Sequence, residues 1–484
     1  MSVIYVTDTE DEYNEQQYVL EHTPPVHGIS ELDIFQRFEK NRFKLLVVSA
    51  IPVFLVPVTS TSYLPAYPLI EEEFNVSNFA IVLTLASYTL FTGIMPLFYG
   101  PMADRFGRKL LIMSTLIAFF GASLLAGSST NIYILILGRA LMAICNGGLV
   151  IFATAVVADV FPPKMRGGAL GFSMIPAMIG PIVGPPLGGL LVETLGWRSV
   201  FYMLNVMILL ILPFIFVVLP ETNHNIIRKK EEDLHYANNP QYEENDESPS
   251  FINPKVVHSN PIKFLLNPML LIANIANGLS FAAVYNMISL FPGLMAKYHF
   301  LGSLDQGLLL VVFGIGTVFG SVVGGRLSDI LKNKIGVGAI LLASVVLILL
   351  VSLSITLFGW LIPHSIFWPT LLAGTSGFFG MANRNCIVAF TIANCPTTAS
   401  AAATAIVLFI QFTFVVGELL ISPFLINAFD IGWAMTIFAS LLVAAVPFLI
   451  IPIRSLYHHK ESFHHVVSAN LDHQRGDSFN EGHL

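Results

Sequence analysis

The sequence predicts an all-α membrane protein, with twelve transmembrane helices arranged as two pseudo-symmetric six-helix bundles. Three observations predict it. The first is composition: 55% of the 484 residues are hydrophobic, only 11% are charged, and the mean hydropathy is +0.72. A soluble domain carries roughly 25% charged residues. So few charges cannot coat a water-facing surface, which excludes a soluble enzyme, a nucleic-acid binder and a disordered scaffold. The second is a series of apolar runs near the ~20 residues that a helix needs to cross the hydrocarbon core. They fall at 43–66, 79–99, 110–128, 132–158, 168–192 and 199–219, then at 268–292, 307–326, 336–358, 366–390, 399–425 and 432–453. The third is internal repetition. Gly100-Pro-Met-Ala-Asp104 after the second run returns as Gly325-Arg-Leu-Ser-Asp329 after the eighth, 225 residues on. Repeats of this kind build transporters that rock two bundles about a midplane site.

The chain divides accordingly. Residues 1–42 form a polar, acidic N-terminal tail without the basic stretch and early apolar core of a cleaved signal, so the first span is expected to direct insertion. Residues 43–219 are the first bundle, 220–262 a charged central loop, 263–454 the second bundle, and 455–484 a polar, His-rich C-terminal tail. Basic residues sort by side. Arg105, Arg108, Lys109, Lys164, Arg166, Arg228, Lys229, Lys230, Lys255, Lys263, Arg326, Lys332 and Lys334 fall in loops on the side of both tails. The opposite loops hold only Arg198 and Lys297. By the positive-inside rule both termini and the central loop are cytoplasmic. The three cysteines, Cys145, Cys386 and Cys395, lie in or beside apolar segments and read as packed thiols.

Between spans two and three the chain reads Gly100-Pro-Met-Ala-Asp104-Arg105-Phe-Gly107-Arg108-Lys109. Gly100 offers close helix approach, Gly107 permits a tight turn, and Asp104 stands at the membrane edge among cations. The start of the eleventh span, at Pro396-Thr397-Thr398, is the expected partner of Asp104. This segment resembles the signature loop of the major facilitator superfamily, G-x-x-x-D-R-x-G-R-[RK], at every fixed position. The second-half copy retains Gly325 and Asp329. The fifth span carries Gly180-Pro-Ile-Val-Gly184-Pro185-Pro-Leu-Gly188-Gly189, which resembles the antiporter motif of the twelve-span drug:proton antiporter branch. Glycines four apart give a flat packing face, and proline bends the helix. The run Thr59–Tyr63 with Pro65-Ala66, and Leu219-Pro220-Glu221-Thr222 after span six, also resemble fungal members of that branch.

Charges inside spans are expensive, at least ~2.5 kcal/mol each at a span centre. Arg139 lies in the fourth span, where the resemblance implies proton coupling; the residues by themselves equally allow a structural hydrogen-bonding role. The family pattern continues with Gln and Gly, and this chain has Met142 and Ala143 instead. Glu418 in the eleventh span is either a proton carrier or a neutral packing residue. Asp159 closes the fourth span and is the third coupling candidate. Arg384 is read as reaching toward the membrane surface. Because the first span has no acidic residue within its apolar run, proton coupling rests mainly on the resemblance. Candidates for an aromatic substrate cavity, suited to flat or cationic organic molecules, are Tyr63, Tyr88, Phe91, Tyr285, Asn286, Phe313 and Gln411.

The His458, His459, His464 and His465 cluster is single and lies in a tail, so no metal site is assigned. No phosphate-binding loop marks an ATP-driven pump, and no cofactor or nucleic-acid partner is expected. The resemblance implies a monomeric plasma-membrane exporter of small organic compounds, working by proton antiport with alternating access. The alternatives are a uniporter or importer of a small metabolite, or a non-transporting receptor on the same fold.

Overall fold

The computed structural model describes residues 31–238, 267–394 and 400–480. The expected partner at Pro396-Thr397-Thr398, Cys395 and the side chains of the C-terminal histidine pairs lie outside the described residues, as do most of the tail and loop assignments.

Every described regular element is helical. Among the described residues, nine helices are long and apolar enough to span a bilayer, and Asn78–Ile94 with Pro96–Phe106 form a further span bent by 48°. One of the nine, Thr404–Ile453, is 50 residues long. It divides at Asp430, whose φ of 63° and ψ of 167° break the helix and separate spans eleven and twelve. Phe367–Ala393 supplies the remaining one; its 27 residues include Arg384 and several Asn, Ser and Thr, which keeps it below a purely apolar criterion. Twelve helical passes result. The others are Arg42–Phe74, Arg108–Gly127, Ile132–Val160, Met165–Leu195, Ser199–Val218, Pro268–His299, Ser303–Lys334 and Val337–Leu361.

The duplication is visible in the backbone. Six described residues have positive φ, and they pair across the halves: Asn75 with Phe300, Gly107 with Gly336, and Gly196 with Asp430, at offsets of 225, 229 and 234 residues. These are the turns after spans one, two and five and their counterparts after seven, eight and eleven. A left-handed residue lets the chain reverse sharply, and glycine adopts it at least cost. The turn geometry therefore persists where the sequence repeat has faded.

Large apolar side chains face outward, such as Leu210 at 72% and Val217 at 79% exposure in the sixth span. That surface is compatible only with an apolar solvent. The first span bends through two short 3₁₀ segments, Ile51–Phe54 and Leu64–Ala66, each with proline near its start. We call the end of the molecule at which the first span begins, near Arg42, and the twelfth ends, near Ile453, the tail end, and the opposite end the far end.

Candidate transport site and gates

The fifth span joins the bundles. A Cβ at Gly180 would strike Pro57, one at Gly184 would strike the Thr61 hydroxyl, and one at Gly188 would strike the Ser62 carbonyl. The motif glycines thus seat the fifth span on the first. A second face meets the eighth span, in the other bundle. Gly189 abuts the Ser303 carbonyl, Gly307 abuts the Pro185 carbonyl, and Gly314 abuts the Pro181 carbonyl. Pro185 has no N–H to give to the carbonyl four residues back. That carbonyl, of Pro181, is the one leaning on Gly314. Pro185 thus frees the Pro181 acceptor oxygen, and Gly314 of span eight lies against it, where weak Cα–H···O contacts add to the packing.

Polar contacts close the same far end. The Leu304 N–H donates to the Glu193 carboxylate at 2.8 Å, and the Ser303 hydroxyl donates to the Pro65 carbonyl at 3.2 Å. Glu73 accepts from the Trp197 indole at 2.6 Å and pairs with Arg198 at 2.7 Å. Span two meets span eleven where a Cβ at Gly93 would overlap Phe412. At the tail end, by contrast, a Cβ placed on Gly167, Gly168 or Gly171 of the fifth span would meet nothing within 4 Å. Span five therefore meets spans one and eight toward the far end, and at these three glycines toward the tails it meets neither.

The signature loop is built around Arg108. Gly107 turns at φ +93°, and any side chain there would strike the Glu221 carboxylate. Arg108 pairs with Asp159 at 2.8 Å and with Asp104 at 2.9 Å. Its side chain is 9% exposed and that of Asp104 is 56% exposed. Glu221 caps the third span: it accepts from the backbone N–H groups of Arg108 at 2.9 Å and Lys109 at 3.2 Å. A carboxylate there meets both free donors and the positive end of the helix dipole. The Thr222 hydroxyl donates to Asp159 at 3.1 Å, and the Asn223 amide donates to the Asp104 carbonyl at 2.9 Å. Asp159 thus belongs to the polar network around Arg108. The chain after span six is stitched to the loop after span two, a contact between residues 113 apart in sequence. Leu219–Thr222 carried a family resemblance in the sequence but no role; nothing local to Glu221 reveals the helix start it caps.

Several expectations are corrected. Gly100 and Gly325 mediate no close approach, having nothing within 4 Å of a Cβ position; Gly93, Gly147 and Gly148 approach neighbouring spans instead. Arg105 faces the adjacent Phe106 ring at 5.3 Å. Lys109 donates to the Phe216 carbonyl at 2.8 Å. Asp329 is exposed and makes no ion pair among the described residues, because the second-half loop has no counterpart of Arg108. Gly417, in the eleventh span, also faces open space.

Arg139 is fully buried. Its guanidinium lies 4.4 Å from the Tyr63 ring centroid and 4.2 Å from that of Tyr88, and it donates to the Thr59 carbonyl at 3.1 Å. Its Nε and Nη2 have no hydrogen-bond partner among the described residues. Tyr63 and Tyr88 are therefore the clamp of Arg139, each with its own hydroxyl contacts to Thr84 and Asn146, and do not line an open cavity. Tyr285 shares a 2.8 Å hydrogen bond with Ser60 across the bundles. Phe313 packs where a Cβ on Gly377 would stand, and Phe91 borders the approach to Gly147. Asn286 is buried with both amide atoms unpartnered among the described residues. Arg384 does not reach the membrane surface: its Nε donates to Gln411 at 3.3 Å, and its guanidinium lies 5.8 Å from the Phe281 ring. Glu418 is 6% exposed, with neither carboxyl oxygen partnered among the described residues.

Two six-helix halves, packed together at one end by glycine-lined spans and carrying buried charged and polar groups inside the spans, define a two-bundle helical membrane protein. The Major Facilitator Superfamily model matches residues 50–413, and the chain belongs to that superfamily. It is 28% identical over 364 residues to the multidrug transporter DTR1 of Candida glabrata, covering 68% of this chain and 66% of that protein. It is 27% identical over 314 residues to dityrosine transporter 1 of Saccharomyces cerevisiae, covering 58% and 54% respectively. Citrate exporter 1 of Aspergillus niger is 26% identical over 318 residues, with 63% and 59% covered. The matches thus span about half to two thirds of these relatives' lengths. Among solved structures, an inward-facing bacterial homolog of the human lysosomal transporter Spinster superposes with a TM-score of 0.66 at 16% identity. That match covers 85% of this chain and 97% of the homolog and bears on the fold alone.

The geometry around Arg108 separates two substitutions. Arg108→Gln strands a largely buried Asp159, and removing one partner of a buried pair costs about 3–5 kcal/mol. Asp104→Asn touches an exposed pair of about 0–1 kcal/mol. We expect thermal unfolding of the purified protein to fall clearly for the first and barely for the second, with transport crippled in both. Normal transport by Asp104→Asn would remove its gating role.

Proposed function

We propose that this protein exports small organic compounds by proton antiport, through rocker-switch exchange between its two bundles. The observation that carries the reading is Glu418: an enclosed carboxyl with no hydrogen-bond partner among the described residues, in a span that contacts both bundles. A bare carboxylate in such a place is expensive, so the enclosed state suits the proton-loaded form. Opening the cavity to water allows the proton to leave. Arg139 and Asp159 are the other coupling candidates. The far-end seam and the tail-end network of Arg108 supply the two gates. The relatives named for multidrug, dityrosine and citrate transport support small organic cargo.

The protein acts as a monomer in the plasma membrane, with both termini cytoplasmic. The test is flux in proteoliposomes of the full chain under an imposed proton gradient, with uphill movement expected only when the gradient is present. Flux independent of the gradient would replace the antiporter by a uniporter. Orientation has its own check. Phe300 is 90% exposed in the far-end loop, so Phe300→Cys should label with an impermeant maleimide from outside intact cells. Labelling only after permeabilisation would invert the topology.

A further inference from the structure

The arginines within the spans are not balanced by ion pairs. Among the described residues, Arg139 and Arg384 are the span-interior cations without an ion pair, and Glu418 is the span-interior carboxyl without a partner. Each cation is held by neutral groups: Arg139 by two tyrosine rings and a carbonyl, Arg384 by Gln411 and the Phe281 ring. The faces of Tyr63, Tyr88 and Phe281 are thus already engaged by the protein's own cations.

The two arginines flank one continuous aromatic column. Phe281 packs on Tyr285 at 6.1 Å and on Phe412 at 5.8 Å. Tyr285 reaches across the bundles to Ser60, next to the residue whose carbonyl holds Arg139. Arg139 is wholly enclosed at the far side of this column. Arg384, Phe281, Tyr285 and Phe412 are only half-buried. Arg384 is therefore the cation open to a ligand. Of its five N–H donors, one is met by a described side-chain acceptor, and a guanidinium fork suits a carboxylate.

Building on the exporter reading, we propose that the cargo is an organic anion, whose carboxylate is received by Arg384 beside Gln411. Its apolar body lies along Phe281, Tyr285 and Phe412. Arg139 stands behind the column as a second, enclosed positive charge. In a medium of low dielectric both charges favour an anion and oppose a cation at that depth.

The experiment is thermal stabilisation of the detergent-purified full chain. The probes are benzoate, 4-phenylbutyrate and citrate, set against 4-phenylbutylamine and neutral 4-phenylbutyramide. At least one carboxylate should stabilise the protein, and the amine should not. Arg384→Gln should raise the half-saturating carboxylate concentration roughly 10- to 100-fold, as expected for loss of a hydrogen bond to a charged group. Gln411→Glu, which places a carboxylate on Arg384, should act in the same direction and favour the amine. Arg384→Lys should fall between. Stabilisation by the amine alone, by all probes equally or by none overturns the proposal, as does unchanged carboxylate binding by a folded Arg384→Gln protein. Binding of carboxylates without any flux under a proton gradient would instead defeat the exporter reading and leave the anion site standing. Uphill flux of the amine with no carboxylate binding would do the reverse.

Discussion

Gly188→Leu is expected to prevent the far end from sealing and to abolish transport. The Cβ of any residue at 188 would overlap the backbone carbonyl of Ser62, which cannot rotate away. Gly184→Leu meets the Thr61 hydroxyl, the end of a short side chain, so its effect should be smaller. Overpacking of this kind costs about 1–3 kcal/mol or more. At roughly 1.4 kcal/mol per factor of ten, that moves the balance between conformations some 5- to 150-fold. The readout is a cysteine pair at 193 and 304, whose parent residues meet through the Glu193 carboxylate and the Leu304 N–H. Cross-linking should be efficient on an otherwise unchanged background and fall sharply with Gly188→Leu. Gly417→Leu is the control, because open space surrounds its Cβ position. Efficient cross-linking and normal flux in Gly188→Leu would show that spans one and five need not stay in contact.

The fold was legible because its causes are local. Hydropathy follows from the solvent around each span, and both motif loops keep their glycine turns. The glycine-proline run in the fifth span announced a close approach, and the structure adds its partners: span one on one face and span eight on the other. The site was less legible because its causes are distant. Arg139 stood out as a charge in an apolar run, but its two-tyrosine clamp comes from spans one and two. Arg384 sits nine residues from the end of its helix, so a surface-seeking side chain was a reasonable expectation. Gln411, from another span, holds it inside. Glu221 had no signal at all, since its task is to cap a helix that starts 113 residues earlier. Gly100 misled in the opposite sense: a matching motif position implied packing, yet the surrounding space is empty.

Glu418→Gln should eliminate proton-driven uphill transport while leaving the protein folded. The amide has nearly the shape of the neutral carboxyl and cannot release a proton, so it fixes the group in its loaded form. Neither oxygen of Glu418 holds a hydrogen bond among the described residues, so no identified contact is lost and stability should change by less than about 1 kcal/mol. The coupling role and the packing role therefore predict different outcomes. If Glu418 carries the proton, accumulation against a gradient falls to background and the pH dependence of transport flattens. Exchange of substrate down its own gradient survives, because the seam and the Arg108 gate are untouched. If Glu418 only fills space, the glutamine protein pumps as before. Glu418→Leu distinguishes further: it should match the glutamine protein in losing uphill flux, although it is apolar and no donor. Proteoliposomes loaded with substrate and subjected to an imposed pH step give both quantities in one measurement. Unchanged uphill flux with the same pH profile would make Glu418 structural and transfer the search for the coupling group to Arg139 and Asp159.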